Sequence, residues 1–360
     1  MPDDDRKFLG DIVRVLVTGA SSLIGRRFVE RLNARGDQPI CLQRHTASVD
    51  ATQVLGDVRD ASTVLAAAKS CDAAVHLAAR VGVVGTWEEF RSVNVDGTAH
   101  VIAAARHHDL GTVVHVSSPS VAHVGEPIAG GLAEPAATGR RRAWYAESKA
   151  LAERAALAAN SDSMAVVAVR PHLVWGPGDT QLVGRIVDRA RSGRLALVNG
   201  GRALVDTTYI DNAVDALVAA LDRTTPGAPS AGNAYVIANG EPRTIRELVE
   251  GICAAFELEV RYQSVPIRLA APVGDLVERF WARTARTADP PITRFLAEQL
   301  GTAHWFDPRP AALDLGYRPL VSIDEGLARL SEWNASQRLR VGTAASHAGL
   351  AGRNPRGKSR

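Results

Sequence analysis

The chain has 360 residues, of which 46% are hydrophobic, enough to bury one large or two modest cores. Its 42 basic and 39 acidic residues leave a formal charge of only +3, so no nucleic-acid footprint stands out and no nucleic-acid partner is expected. Cys41, Cys71 and Cys253 have no metal or disulfide spacing, and no long uncharged apolar run is present, so a reduced cytoplasmic setting without a transmembrane helix is expected.

Taken in chain order, residues 12–18 read as a buried strand, 19–25 as a Gly/Ser turn and 26–35 as a helix. Strands follow at 39–43 and 53–55, a helix at 61–69, a strand at 73–77 and a helix at 90–107. A fifth strand at 112–116, an Ala-rich helix at 143–160 and a sixth strand at 165–169 complete the series. Such alternation predicts an α/β fold, a Rossmann-type doubly wound parallel sheet covered on both faces. After Arg170 the turn residues Pro171, Gly176, Pro177 and Gly178 break the pattern. The expected division is a dinucleotide-binding domain over 1–175, a smaller substrate lobe over 176–340 and a basic, disordered tail over 341–360. The chain is expected to return to the main sheet near 203–209 and 234–237. Asp211 and Asn212 precede a helical run and read as N-cap residues. Residues 265–281 are amphipathic at helical spacing, which suits packing on the core, lining an apolar channel or peripheral contact with a membrane surface.

The loop Thr18-Gly19-Ala20-Ser21-Ser22-Leu23-Ile24-Gly25 lies between a strand and a helix, the context that makes a glycine pattern a pyrophosphate site. Gly19 permits the tight turn and Gly25 close helix packing. Ser22 stands at the usual middle glycine, where its hydroxyl can donate to phosphate, and Ser21 belongs to the same loop. No acid follows the second strand to meet a ribose hydroxyl. Arg44 stands there instead, which favours NADP(H) through its 2′-phosphate, with NAD(H) the alternative.

Tyr145 and Lys149 are four residues apart on a helix and so share one face. A phenol titrates near pH 10, and a neighbouring ammonium favours its phenolate, so Tyr145 can exchange a proton with a carbinol oxygen. At the end of the fifth strand lies Ser117-Ser118-Pro119-Ser120. Ser118 is the candidate to polarise the substrate oxygen, with Ser117 and Ser120 as alternatives. No residue set suggests a metal.

Together with His76-Leu77-Ala78-Ala79, Asn94-Val95-Asp96-Gly97-Thr98 and Arg170-Pro171-His172-Leu173-Val174-Trp175-Gly176-Pro177-Gly178-Asp179, these motifs resemble the extended short-chain dehydrogenases/reductases. Within them, the chain is similar to the 3β-hydroxysteroid dehydrogenase-like group, including sterol 4-carboxylate 3-dehydrogenases and bacterial 2-alkyl-3-oxoalkanoate reductases. The resemblance spans roughly residues 12–335. It implies that Leu23 and Ile24 border the pyrophosphate and that Asp57 and Val58 flank the adenine. Leu77, Ala78 and Ala79 would line the cofactor, and Asn94 would brace the nicotinamide side. Ser117, Tyr145, Lys149, Pro171, His172 and Leu173 would complete its contacts.

The expected function is interconversion of a ketone and a secondary alcohol on a bulky apolar substrate such as a sterol, a long-chain 3-oxo acid or a polyketide. The alternatives are a nucleotide-sugar epimerase or dehydratase and a dinucleotide-binding sensor. Pro119-Ser120 replaces the Asp-Glu pair of such dehydratases, and a sensor need not keep both Tyr145 and Lys149. A homodimer is the family-like expectation.

Overall fold

A computed structural model describes residues 12–82, 84–122, 126–139, 143–282 and 294–351. The first half builds β1 (Arg14–Thr18), α1 (Leu23–Ala34), β2 (Gln38–Gln43), β3 (Thr52–Leu55), α2 (Ala61–Ala68) and β4 (Ala73–His76). Then come α3 (Trp87–Phe90), a π-helical stretch Arg91–Asp96, α4 (Gly97–His107), β5 (Thr112–Val116), β6 (Ile128–Gly131), α5 (Trp144–Leu157) and β7 (Ala165–Pro171). The second half adds β8 (Val174–Trp175), α6 (Val183–Arg191), β9 (Ala196–Val198), β10 (Leu204–Val205), β11 (Thr208–Tyr209), α7 (Ile210–Arg223), β12 (Ala234–Ile237) and β13 (Arg243–Thr244). It ends with α8 (Ile245–Ala255), β14 (Gln263–Val265), α9 (Ile267–Ala282), α10 (Arg294–Gly301), β15 (His304–Phe306), α11 (Arg309–Asp314) and α12 (Ile323–Ala351).

The central sheet has seven strands in the order β12-β7-β5-β4-β1-β2-β3, all parallel. The order reverses between β1 and β4, so ligands are expected beyond the carboxyl ends of these strands. Val15, Val17, Val75, Val114 and Val167 pack on one face under α1 and α7. Leu16, Ala74, Val113 and Val166 pack on the other under α2, α4 and α5. Burial on both faces explains why these strands read as continuous apolar runs.

A third core joins Trp175, Ile186, Leu197, Tyr209, Ile245, Leu248 and Ile252 in the C-terminal lobe. Here three expectations change. Residues 203–209 do not return to the main sheet. Leu204–Val205 pairs with Arg243–Thr244 and with His304, and Thr208–Tyr209 pairs with Val174–Trp175. The outer position beside β7 is already filled by β12, as expected for 234–237. The division at 175 is not clean either, because β6 from the first half pairs with β15 in the lobe's sheet. Finally, α12 carries the chain past 341 to Ala351, where a disordered tail was expected; residues 352–360 lie outside the described ones.

Side chains govern the joints. Asp211 and Asn212 are not caps, since Tyr209 precedes α7 without a side-chain cap bond. Asp211 meets Arg329, while buried Asn212 accepts from the Leu320 and Val321 amides and donates to the Val321 carbonyl. Along α9, Leu269, Val273, Leu276 and Phe280 are exposed. No helix among the described residues is long and apolar enough to cross a membrane.

Candidate active site

Gly19 turns with φ +76°, and a Cβ there would lie 2.8 Å from the Ala78 nitrogen. At Gly25 a Cβ would lie 2.4 Å from the Gly19 carbonyl oxygen. Both glycines therefore let the loop close tightly against β4 and α1. Ser22 has φ −69° and caps α1 by accepting from the Gly25 amide at 3.0 Å, which explains a serine where a third glycine is usual. The amides at the start of α1 that no bond within the helix takes up are the kind of donors that bind an anion. Ser21 is exposed beside it. The cradle fits a pyrophosphate.

Just after β2, Arg44 is exposed and near enough to Asp57 to help hold that carboxyl below its ordinary range. The larger cause is the fork from Arg59, which reaches Asp57 at 3.0 and 2.8 Å. Val58 is buried under Gly97, and its carbonyl meets His100.

Beneath the loop runs a buried polar chain. Thr98 donates its proton to the Asn94 carbonyl at 2.6 Å, so it accepts from His76 Nε2 at 3.1 Å. His76 Nδ1 then accepts from Thr18, 2.6 Å away, and Thr18 accepts from the Ala78 amide at 3.1 Å. Burial first, and the Lys149 charge second, push His76 down to about 3 and His115 well below the ordinary imidazole value. Both are neutral. Asn94, in the π-helical stretch, clasps the Arg80 backbone at 2.7 and 3.1 Å and donates to Ser148 at 2.9 Å. It is 1% exposed and braces the loop and α5 from behind rather than facing the open space.

Ser118, Tyr145 and Lys149 come together at the carboxyl end of β5. The Tyr145 hydroxyl is hydrogen-bonded to Ser118, which lowers a phenol pKa that burial otherwise raises. Ser118 also accepts from the Ser120 hydroxyl at 2.9 Å and the Ser120 amide at 3.3 Å. Ser120 is therefore a support for Ser118. Ser117 faces the cavity, and its buried hydroxyl has no partner among the described residues. Lys149 donates to the Val116 carbonyl at 2.6 Å. Burial lowers its pKa to about 8, opposed by Glu153 one turn further along α5. Glu153 and Arg170 form a buried bidentate pair at 2.8 and 2.5 Å, each 1% exposed, which ties α5 to β7.

Pro171, His172 and Leu173 form the next strand end. His172 Nδ1 donates to the Asp206 carbonyl at 2.6 Å. Leu173 follows with φ +45°, a strained conformation held by backbone bonds of its neighbours to Ile237 and Thr208. Burial raises Asp206 to about 6 despite amide bonds from Gly240 and Glu241.

These strand ends open into a cavity of about 570 Å³. Ser22, Leu23, Ile24, Leu77, Ala79, Ser117, Ser118, Tyr145, Lys149, Pro171, His172 and Leu173 are at its wall. Gly19, Ser21, Gly25, Ala78 and Asn94 are not in that wall, and neither are Arg44, Asp57 and Val58. Sequence reading missed the lobe wall: Leu182, then Arg185, Ile186 and Arg189 of α6, Leu195 and Leu197, Leu248 of α8, Leu300 and His304. No local motif marks these residues, although the amphipathic period of α6 is a signal that could have found them.

Residues 16–267 match the family model of the 3-beta hydroxysteroid dehydrogenase/isomerase family. The 2-alkyl-3-oxoalkanoate reductase of Stenotrophomonas maltophilia is 43% identical over 330 residues, covering 90% of this chain and all of that protein. The same-named reductase of Shewanella oneidensis is 38% identical, covering 89% of this chain and 86% of that one. Among solved structures, the dTDP-glucose 4,6-dehydratase DesIV of Streptomyces venezuelae, with NAD and TYD bound, superposes with a TM-score of 0.68. It is 24% identical and covers 90% of this chain and 98% of its own, a likeness of fold.

Proposed function

Since the chain belongs to the 3-beta hydroxysteroid dehydrogenase/isomerase family, among the extended short-chain dehydrogenases/reductases, we propose that it reduces the ketone of a bulky apolar substrate with NADPH. The chain is an NAD(P)-dependent oxidoreductase that interconverts a ketone and a secondary alcohol. One observation carries the reading of its site: the hydrogen-bonded Tyr145 and Ser118, with Lys149 one turn along, stand in the wall of a largely apolar cavity.

When bound, the dinucleotide supplies or accepts the hydride. Gly19, Ser21, Ser22, Leu23, Ile24 and Gly25 would hold its pyrophosphate. Asp57 and Val58 would flank the adenine, and Arg44 would meet a 2′-phosphate. Leu77, Ala78, Ala79, Ser117, Pro171, His172 and Leu173 would line the nicotinamide half, braced by Asn94. Ser118 donates to the substrate oxygen, and Tyr145 delivers its phenolic proton there in reduction or takes it in oxidation. Burial alone would make Tyr145 a poorer acid. The Ser118 hydrogen bond offsets this, and the Lys149 ammonium, largely charged at neutral pH, would further favour the phenolate.

The lobe side supports an apolar substrate such as a sterol or a long-chain 3-oxo acid, because Leu182, Ile186, Leu195, Leu197 and Leu248 would face it. The exposed stripe of α9 supports contact with a lipid surface from which such a substrate could be drawn. Three free buried cysteines suit a reducing compartment.

The test is nicotinamide absorbance with NADPH or NADH and a panel of 3-oxosteroids, long-chain 3-oxo acids and nucleotide 4-ketosugars. Turnover of an apolar ketone with NADPH, lost in Tyr145→Phe, is expected. Turnover of the 4-ketosugars alone would replace this reading with a sugar-modifying one.

A further inference from the structure

Beside the buried polar chain beneath the phosphate loop stands a histidine that neither the fold nor the proton transfer uses. His115 is 1% exposed, and neither nitrogen of its ring has a hydrogen-bond partner among the described residues. An imidazole buried in that way gives up its bonds to water and gains none in return. Its neighbour in register, His76, offers no bond, because its own two nitrogens are taken by Thr18 and Thr98. The two rings lie 5.6 Å apart between centroids. Two residues further along the same strand end, and so on the same face, the buried Ser117 hydroxyl is also without a partner. Lys149 gives one of its three N–H groups to the carbonyl of Val116, the residue between His115 and Ser117. Its charge acts on both histidines. No carboxylate competes for it there: Glu153, the acid that acts on Lys149, is paired with Arg170, and Asn94 and Thr98 approach uncharged from the π-helical stretch and α4. An ammonium, an imidazole and a hydroxyl are thus grouped at the end of β5, a polar set of the size that holds one buried water.

We propose that His115 is a positioning residue for Lys149: with Ser117 it holds one water against the ammonium, and its ring supplies, through that water, the acceptor that keeps Lys149 charged beside Tyr145. Burial keeps His115 itself neutral, so its lone pair is not lost to a proton of its own. The inference rests on the reductase reading for the use of the ammonium, but not for the contact with it.

Lys149 can be watched directly, because the chain holds only four lysines, Lys7, Lys69, Lys149 and Lys358. NMR of the full-length protein with isotope-labelled lysine, and Lys149→Arg to identify the signal, gives its titration without turnover. The midpoint is expected at about 8. It should fall by about one pH unit in His115→Phe, tenfold in the protonation equilibrium, the lower end of what a hydrogen bond to a charged group contributes. His115→Gln, which keeps an acceptor, should restore most of that shift. A reading on the unaltered protein covers the case in which His115→Phe does not fold. With isotope-labelled histidine, the His115 ring signal should show no protonation above about pH 5 and should move once, at the Lys149 midpoint. A midpoint unchanged in His115→Phe, or lowered equally in His115→Gln, overturns the proposal, as does a His115 signal that ignores the Lys149 titration. The high-pH limb of kcat/KM should move with the midpoint. Absent ketone turnover would instead fail the reductase reading, and the lysine titration would still decide the role of His115.

Discussion

On the sheet side of the cavity, polar side chains are fixed to strand ends. Lys149 holds the Val116 carbonyl, His172 holds the Asp206 carbonyl, and Ser118 is held by Ser120 and Tyr145. On the lobe side, Leu182, Ile186, Leu195, Leu197 and Leu248 meet the same space with apolar surface and no comparable bonds. The first wall sets geometry, since hydrogen bonds are directional and a proton must be passed over a short distance. The second sets volume, since apolar packing is non-directional and tolerates exchange of similar side chains. Chemistry should therefore be sensitive to small changes on the sheet side, and substrate choice to changes on the lobe side.

Tyr145→Phe gives the sharpest contrast. Removing the proton donor should lower kcat by about 100- to 10,000-fold, whereas Leu248→Ala should act mainly on KM for long-chain ketones. Steady-state kinetics on both variants checks this, and an equal collapse of kcat in Leu248→Ala would break the contrast. Next in size is the buried Arg170–Glu153 pair behind the sheet-side wall. Arg170→Met removes the ion-pair partner of buried Glu153 and should cost about 3–5 kcal/mol in denaturant unfolding. Adding Glu153→Leu should restore much of that stability; a double variant as weak as the single one would show that the pair acts by more than charge.

The pH dependence comes next. Burial lowers Lys149 to about 8, so its ammonium is present below that pH and lost above it. Without it the phenolate of Tyr145 loses its support. For reduction, kcat/KM should fall by up to about tenfold per unit as pH rises past about 8. A flat profile to pH 10 would show that Lys149 does not tune Tyr145. The smallest effect is expected at Arg44, where Arg44→Ala should reduce the ratio of NADPH to NADH efficiency by about tenfold, the worth of one exposed phosphate contact. An unchanged ratio would remove Arg44 from the cofactor site.

What was legible in the sequence follows from the range of each signal. Tyr145 and Lys149 could be paired because i,i+4 spacing on a helix is a local property. Gly19 and Gly25 could be read because a strand, a turn and a helix follow one another directly in the chain. The preference for Ser118 over Ser117 and Ser120 is not a local property, since it depends on how the 3-10 turn at Pro119–Val121 presents its hydroxyls to Tyr145. For residues 203–209 the apolar pattern announced a strand but not its partner, and β12 had already taken the edge of the main sheet.

The sequence by itself determined the doubly wound sheet, the phosphate loop and the Tyr-Lys pair, because hydrophobic period, turn chemistry and helical spacing act over a few residues. Only the tertiary structure decided that Asn94 works from behind the loop and that β6 crosses into the lobe's sheet. It alone brought Arg185 and Arg189 of α6 to the same cavity as Tyr145. Each of these depends on where a distant segment packs, and long-range packing is selected by the whole core rather than written in any one stretch of chain.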